Sequence, residues 1–255
     1  MRAAIRSDLA IGILPIAVLV ALWAGVVAAG LAPRALLPSP WAVFSRVGAS
    51  VADPAFLAHA GATIYRLFVG FSIALALGVA LGLLGATNRV AGAAIRPLVR
   101  VLAPIPKIAL YPALVLSLGF DDASKIALVA ADALFPILLA TYGGAAAVEP
   151  KLVWSARAAG TSARAAIWKV VLPATLPSIL TGSRIGLVVA CIVVFLAEMI
   201  TSTDGLGYLL VRAARSFQTV DMFVPLIAIS AIGLALNAAL AWARRHLLAG
   251  FPQEE

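Results

Sequence analysis

Four charged side chains lie inside long apolar stretches of the sequence, Lys107, Asp132, Arg184 and Glu198, and three of them, Lys107, Asp132 and Glu198, are candidates for a function there. A charge at that depth in a bilayer is costly, so such a residue marks a solute path, a proton relay or a pair with another helix. Glu198 stands near the end of its stretch, where a structural hydrogen bond or a basic partner on another helix is favoured over a pathway role. Asp132 is deeper and must face a bundle interior or a pore, with pathway and packing equally open. Lys107 has a long aliphatic stem and either attracts an anion or snorkels to the interface; snorkelling is favoured. Other chemistry is sparse. Cys191 is the single cysteine, which leaves no disulfide or paired-cysteine metal site and fits a small buried hydrophobe. His59 and His246 are far apart, and no His-Glu-x-x-His, Gly-x-Ser-x-Gly or usable carboxylate pair occurs. There is no Gly-Lys dipeptide, so the P-loop pattern is missing. No cofactor or metal site is expected in this chain.

The elements that hold these residues follow from composition. Of 255 residues, 63% are hydrophobic and 12% charged, and the mean hydropathy is +1.07. Soluble domains are about 45–50% apolar and about 25% charged. Too few polar side chains remain to cover a water-soluble globule, and disordered chains are polar and charge-rich. An integral membrane protein is left. The net charge of +8 then reflects loop topology rather than nucleic-acid binding.

A spanning helix needs about 20 mainly apolar residues. Six stretches qualify: 9–32, 67–88, 101–120, 126–148, 179–200 and 222–243. The third is the weakest, because Pro104, Pro106 and Pro112 each remove a helix hydrogen bond. The first exceeds a signal-peptide core, so an uncleaved anchor is expected. Six spans put both termini on one side. That side holds eleven Lys and Arg, among them Arg89, Lys151 and Arg164, and the other holds four: Arg34, Arg46, Arg212 and Arg215. The excess sets the termini in the cytoplasm, with His59 outside and His246 inside. Trp41 and Phe44 of the external 33–61 loop suit the membrane interface as aromatic anchors, with lipid as the surrounding partner. Gly78-xxx-Gly82 and Gly182-xxx-Gly186 permit close helix approach, within one chain rather than at a dimer seam.

The internal segment 149–178 is too polar to span and too patterned to be slack. Glu149-Pro150 opens a helix, and Lys151–Ala159 is alanine-rich. Gly160 breaks it, Thr161-Ser162 can cap a second helix over Ala163–Leu172, and Pro173 and Pro177 stop that helix before the next span. A helix–turn–helix on the cytoplasmic face is predicted.

This loop resembles a signature of importer permeases of the ATP-binding-cassette class: Glu-Ala-Ala, three residues, Gly, nine residues, Ile, one residue, Leu-Pro. Here it reads Trp154-Ser155-Ala156, Arg157-Ala158-Ala159, Gly160, then Val170-Val171-Leu172-Pro173. The spacing is intact, Val170 replaces Ile, and Trp154 stands where the family has Glu. Pro104–Pro112, Gly119-Phe120 with Ser124-Lys125-Ile126, Ala197–Ile200 and Gly205–Tyr208 further resemble the nitrate/sulfonate/taurine subgroup. Together these cover residues from about 60 to 247.

The resemblance implies an all-α, six-span permease of the type I importer fold, one domain over 1–255, in a bacterial-type inner (plasma) membrane. It implies a homodimer with two ATP-binding subunits, which would hold ATP and Mg, and an extracytoplasmic solute-binding protein. The loop would dock on the ATPase through Trp154, Ser155, Ala156, Arg157, Gly160, Thr161, Arg164, Leu172 and Pro173. Arg157, Arg164 and Lys169 would meet either the ATPase or lipid headgroups. The solute would be a small anion such as a sulfonate, taurine or nitrate. The chain itself would not be an enzyme. A self-sufficient secondary transporter is the alternative, since such folds use broken helices, but no second half mirrors the proline-rich third stretch.

Overall fold

The computed structural model describes residues 2–33 and 35–249, with side chains from residue 14 onward. Every regular element among them is helical. Helix α1 is Arg2–Ala28. Helix α2, Pro40–Val51, starts where Ser39 Oγ accepts from the Ala42 amide at 3.3 Å. Asp53 caps α3, Pro54–Thr87, in the same way. Most of the predicted external loop 33–61 is therefore helical, because each start pairs a side-chain cap with a proline in the first turn.

Asn88 ends α3 and caps α4, Arg89–Leu102, by accepting from the Val90 and Ala91 amides. The stretch between the expected second and third spans, 89–100, is therefore a helix rather than a loop. The predicted third span, 101–120, is not one helix either. The chain leaves α4, passes Pro104 and Pro106, makes a 3-10 turn at Lys107–Leu110 and continues as α5, Tyr111–Leu118. The two halves meet at 85°. Pro104 and Pro106 remove two donors within one turn, which a continuous helix cannot spare. Pro112 is harmless in the first turn of α5.

Helix α6 is Asp122–Ala146 and α7 is Pro150–Ala158. Helix α8, Ala163–Ala166, runs through a π turn at Ile167–Val171 into α9, Leu172–Thr201. These make one 39-residue helix, Ala163–Thr201. Leu172-Pro173 was expected to end a helix and instead lies inside one. The π turn gives the reason: the Leu172 amide bonds to the Ile167 carbonyl, five residues back, so the register shifts where proline has no donor to offer. Helices α10, Leu206–Arg215, and α11, Thr219–Leu247, complete the chain.

Among the described residues, α3, α6, Ala163–Thr201 and α11 are long and apolar enough to cross a bilayer, and the bent α4–α5 pair passes the same length and composition test when its two halves are taken together, as a broken span or a re-entrant loop. The sixth expected span is α1, whose apolar part with described side chains, Leu14–Ala28, is shorter. Residues 9–13 of that stretch, and Arg34 beyond it, carry no described side chains.

Helix α6 lies between α3 and α9. Small residues make this possible. Cβ atoms added at Gly78 and Gly82 of α3 would lie 2.9 Å from Ile137 Cβ and 2.6 Å from Thr141 Cβ of α6. One at Gly182 of α9 would lie 2.6 Å from Ala140 Cβ, and one at Gly186 would lie 3.0 Å from Ile137 side-chain carbons. Both small-residue stripes are seams inside one chain. Leu67, Ala74, Leu128, Ala133, Ile137 and Val194 form the core between them. Helix α11 packs on α2, α9 and α10 and buries only Val224 and Pro225 fully.

Candidate functional site

The loop between α6 and α9 is built by two opposed caps. Helix α7 ends in a Schellman arrangement: the Thr161 amide donates to Ala156 O at 3.0 Å and the Gly160 amide to Arg157 O at 3.0 Å. Gly160 sits at φ +86°, a conformation that costs an L-residue about 1–2 kcal/mol. Two residues on, Ser162 caps the next helix, its Oγ accepting from the Ala165 amide at 3.3 Å. Thr161 contributes its backbone to the turn, and Ser162 is the cap. The predicted helix–turn–helix is present, with a second helix that does not stop.

Trp154, Arg157 and Arg164 line a cleft of about 450 Å³ with Val153, Ile167 and Val171. The ends of α3 (Ala86, Thr87) and α6 (Ala145, Ala146) complete it. Trp154 is 65% exposed. Ser155 O accepts from the Ala159 amide, and Leu172 packs on the cluster of Leu83, Ala145 and Val171. Pro173 is exposed.

The second constellation lies at the other end of α9. Glu198 is fully buried and accepts from Thr63 Oγ1 at 2.9 Å, Arg66 Nη1 at 2.9 Å and the Gly207 amide at 3.0 Å. Arg66 also donates through Nε to Asp122 of α6 at 2.6 Å and through Nη2 to Asp204 in the α9–α10 connection. His59, Thr63 and Arg66 occupy one face of α3 at helical spacing. They hold the start of α10: the Gly205 amide donates to His59 Nδ1 at 3.0 Å and the Leu206 amide to Thr63 Oγ1 at 2.9 Å. Three consecutive amides that a helix start leaves unpaired are thus satisfied by two neighbouring helices. Lys125 adds its ammonium to Phe120 O at 2.6 Å and Asp121 O at 3.1 Å. Glu198 has the structural hydrogen bonds and basic partner expected of it.

Arg66, Asp122 and Asp204 were missed in the sequence because each stands at the edge of an apolar stretch, where a charge needs no explanation. The i, i+4, i+7 spacing of His59, Thr63 and Arg66 was the available signal.

Asp204 lies outside the spans. Burial alone would raise its carboxyl, but the hydrogen bond and charge of Arg66 outweigh that and hold it below the usual carboxylate range. A lowered acid stabilises the fold above its unfolded pKa, about 3.9, and loses that contribution as pH falls through the folded value. Melting of the purified protein should therefore be insensitive to this group near neutral pH and decline in acid. Asp204→Asn should flatten the decline; superposable acid profiles would show that Asp204 contributes nothing.

Lys107 departs from expectation. It is buried rather than snorkelled. Its Nζ forms an ion pair with Asp132 Oδ1 at 3.2 Å, donates to Ile105 O at 3.2 Å and Ala103 O at 3.4 Å, and sits 4.4 Å from the Phe135 ring centre. Both carbonyls are ones freed where α4 gives way to α5. Lys107 and Asp132 thus join the break to α6. The loop residues, Lys107–Asp132 and Glu198 remain three separate places.

Residues 74–251 match the family described as "Binding-protein-dependent transport system inner membrane component". The SsuC permease protein of Bacillus subtilis (strain 168), whose name assigns it to aliphatic sulfonates, is 31% identical over 93% of this chain and 86% of its own length. The taurine transport system permease protein TauC of Escherichia coli (strain K12) is 30% identical over 89% and 83%. The formylaminopyrimidine transport permease protein ThiX of Halalkalibacterium halodurans is 32% identical over 80% and 82%. In fold, the chain is similar to a chain of the inward-facing MetNI methionine ABC transporter, with a TM-score of 0.61, 18% identity and coverage of 73% of this chain and 93% of that one. The secondary-transporter alternative gives way to these findings. A helix–turn–helix loop continuous with a spanning helix, the all-helical fold and the match over most of the chain together place it: the protein belongs to the binding-protein-dependent transport system inner membrane components, the permease subunits of ATP-binding-cassette importers.

Proposed function

We propose that two copies of this permease form the pore of an importer for a small organic anion of the sulfonate or taurine class, driven by two ATP-binding subunits that hold ATP and Mg and fed by an extracytoplasmic solute-binding protein. The α6–α9 loop and both termini face the cytoplasm of a bacterial-type inner membrane, as the Lys and Arg excess on that side favours. The chain has no reaction of its own to catalyse. SsuC and TauC support the solute class through their names, and ThiX shows that relatives of equal similarity are named for other solutes.

The observation that carries this reading is mechanical. The loop's second helix and the spanning helix are one 39-residue element, roughly 58 Å long at 1.5 Å per residue. Its loop end lies beside Trp154, Arg157 and Gly160, and its far end carries Glu198 and the ion cluster. A push on α7 by a closing ATPase moves the whole rod, so a cytoplasmic event reaches the outer end of the bundle. Two opposed caps around Gly160 keep α7 at a fixed angle to the rod.

Extraction from the native membrane in mild detergent tests this directly. A P-loop ATPase, identified by mass spectrometry, should accompany the parent protein and be lost with Gly160→Asp at equal expression. Gly160 has no atom within 4 Å of a Cβ, so the substitution acts on the turn rather than on packing. A parent protein that emerges alone and moves solute in liposomes without ATP would defeat the proposal.

A further inference from the structure

Of the four charged side chains inside apolar stretches, three are paired: Lys107 with Asp132, and Glu198 with Arg66. Arg184 of α9 is the fourth. It is exposed and forms no salt bridge among the described residues. Its depth follows from the glycines on either side of it. A Cβ at Gly182 would touch Ala140 and Ile137 of α6, and one at Gly186 would touch Ala133 and Ile137. Arg184 is therefore level with Ile137, which stands nine residues before Ala146 at the loop-side end of α6 and fifteen after Asp122 at the other, roughly 14 and 22 Å along the axis. The guanidinium belongs to the loop-side half of the span, not to its end. Charges held inside a span almost always face a bundle interior or a water-filled path.

The helix that carries it is the most enclosed of the spans. In the most apolar stretch of Ala163–Thr201, 61% of the residues are buried, against 33% in α3 and α6 and 11% in α11. Helix α9 meets α6 along Gly182 and Gly186, and meets α11 where Cys191 Sγ stands 3.7 Å from a Cβ placed at Gly233. One strip at helical spacing stays open: Thr181, Arg184, Ile185, Val188, Ile192 and Leu196. The long exposed faces elsewhere carry no such charge, since α3 is uncharged from Leu67 to Asn88 and α11 from Met222 to Ala243.

We propose that this strip lines the translocation path between two copies of the chain, and that Arg184 is the cation that receives the anionic head of the passing solute. The proposal rests on the importer reading and adds the residue that contacts the solute. The ligand class is an oxyanion, because a guanidinium presents parallel donors that match two oxygens of a sulfonate or carboxylate. An anion in the path offsets the cost of an uncompensated charge at that depth. A lipid phosphate is the competing oxyanion, and Arg184 would meet it if the strip faced the bilayer.

The test lets a sulfonate report on the strip. Val188 stands one turn from Arg184. The complex with its own ATP-binding chain is placed in lipid nanodiscs, where both faces meet water, with Cys191→Ala removing the native thiol and Val188→Cys supplying one. Two water-borne methanethiosulfonates, one ending in a sulfonate and one in a trimethylammonium, should both label it. Relative to their rates with a free thiol, the anionic reagent should be favoured by at least about threefold at low salt. Adding Arg184→Gln should abolish that preference, and adding Arg184→Lys should keep it. In proteoliposomes, Arg184→Gln should lower ATP-driven uptake of subsaturating taurine or ethanesulfonate by at least about tenfold, and Arg184→Lys by less. A reagent preference that survives Arg184→Gln would overturn the proposal, as would uptake by that variant within about twofold of the parent. So would a Val188→Cys thiol that neither water-borne reagent reaches and a lipid-soluble maleimide labels, because the strip then faces the bilayer. A parent assembly that takes up no anion with ATP defeats the importer reading itself, whatever the labelling gives, so the two failures are told apart.

Discussion

Arg66→Ala should destabilise the purified permease by about 3–5 kcal/mol, the usual cost of removing one partner from a buried ion pair. Arg66 is 2% exposed and joins α3 to α6 through Asp122, to α9 through Glu198 and to the α9–α10 connection through Asp204. Without it, Glu198 keeps only Thr63 and the Gly207 amide as donors, and a fully buried carboxylate is left without a counter-charge. Arg66→Lys should recover part of the loss, because a single ammonium cannot serve three carboxylates in the fork geometry of a guanidinium. Arg46→Ala is the comparison. Arg46 pairs with Asp221 at a half-exposed site, where ion pairs contribute up to about 1 kcal/mol. Melting of the three variants in one detergent decides the matter, and an Arg66→Ala protein that melts with the parent would show the cluster to be ornamental.

Gly82→Ala should prevent α3 from seating on α6. The added Cβ would lie 2.6 Å from Thr141 Cβ and 3.0 Å from the Leu138 carbonyl. Neither obstacle is the end of a flexible side chain, so the backbones must separate, at a cost of about 1–3 kcal/mol or more. Larger residues should cost more. Gly61→Ala in the same helix meets nothing within 4 Å and should be neutral or stabilising by up to about 1 kcal/mol. The exchange Gly82→Ala/Thr141→Gly moves the Cβ to the other side of the seam and should restore part of the melting temperature. Thr141 Oγ1 is a buried atom without a hydrogen-bond partner, so losing it leaves no group unsatisfied. An exchange variant no better than Gly82→Ala would argue against the seam as described.

Glu198 announced itself in the sequence, since a carboxylate in an apolar run needs a partner. Its partner did not, because Arg66 stands 132 positions away at the edge of a stretch where positive charge is ordinary. The glycine stripes were legible for the same local reason: helical spacing of small residues needs no long-range knowledge. The loop's turn was legible because Gly160 must adopt a backbone few other residues tolerate. Proline misled in two directions. At Pro173 it marked a helix end that a π turn removed, and at Pro104 and Pro106 its effect was understated, since a run of apolar residues reports length and not direction. Hydropathy counts what a segment is made of. The 85° break at Lys107, and the carbonyls its ammonium satisfies, depend on which donors are missing and in what order.

The central claim is that this chain moves solute only when a partner hydrolyses ATP. Proteoliposomes containing the permease with its copurified ATP-binding chain should accumulate radiolabelled taurine or an alkanesulfonate when ATP is enclosed on the loop side and the cognate binding protein is added outside. Uptake should vanish without ATP, and with the permease reconstituted alone. If the chain alone accumulates the label at the rate of the full assembly, with or without ATP, the account is wrong.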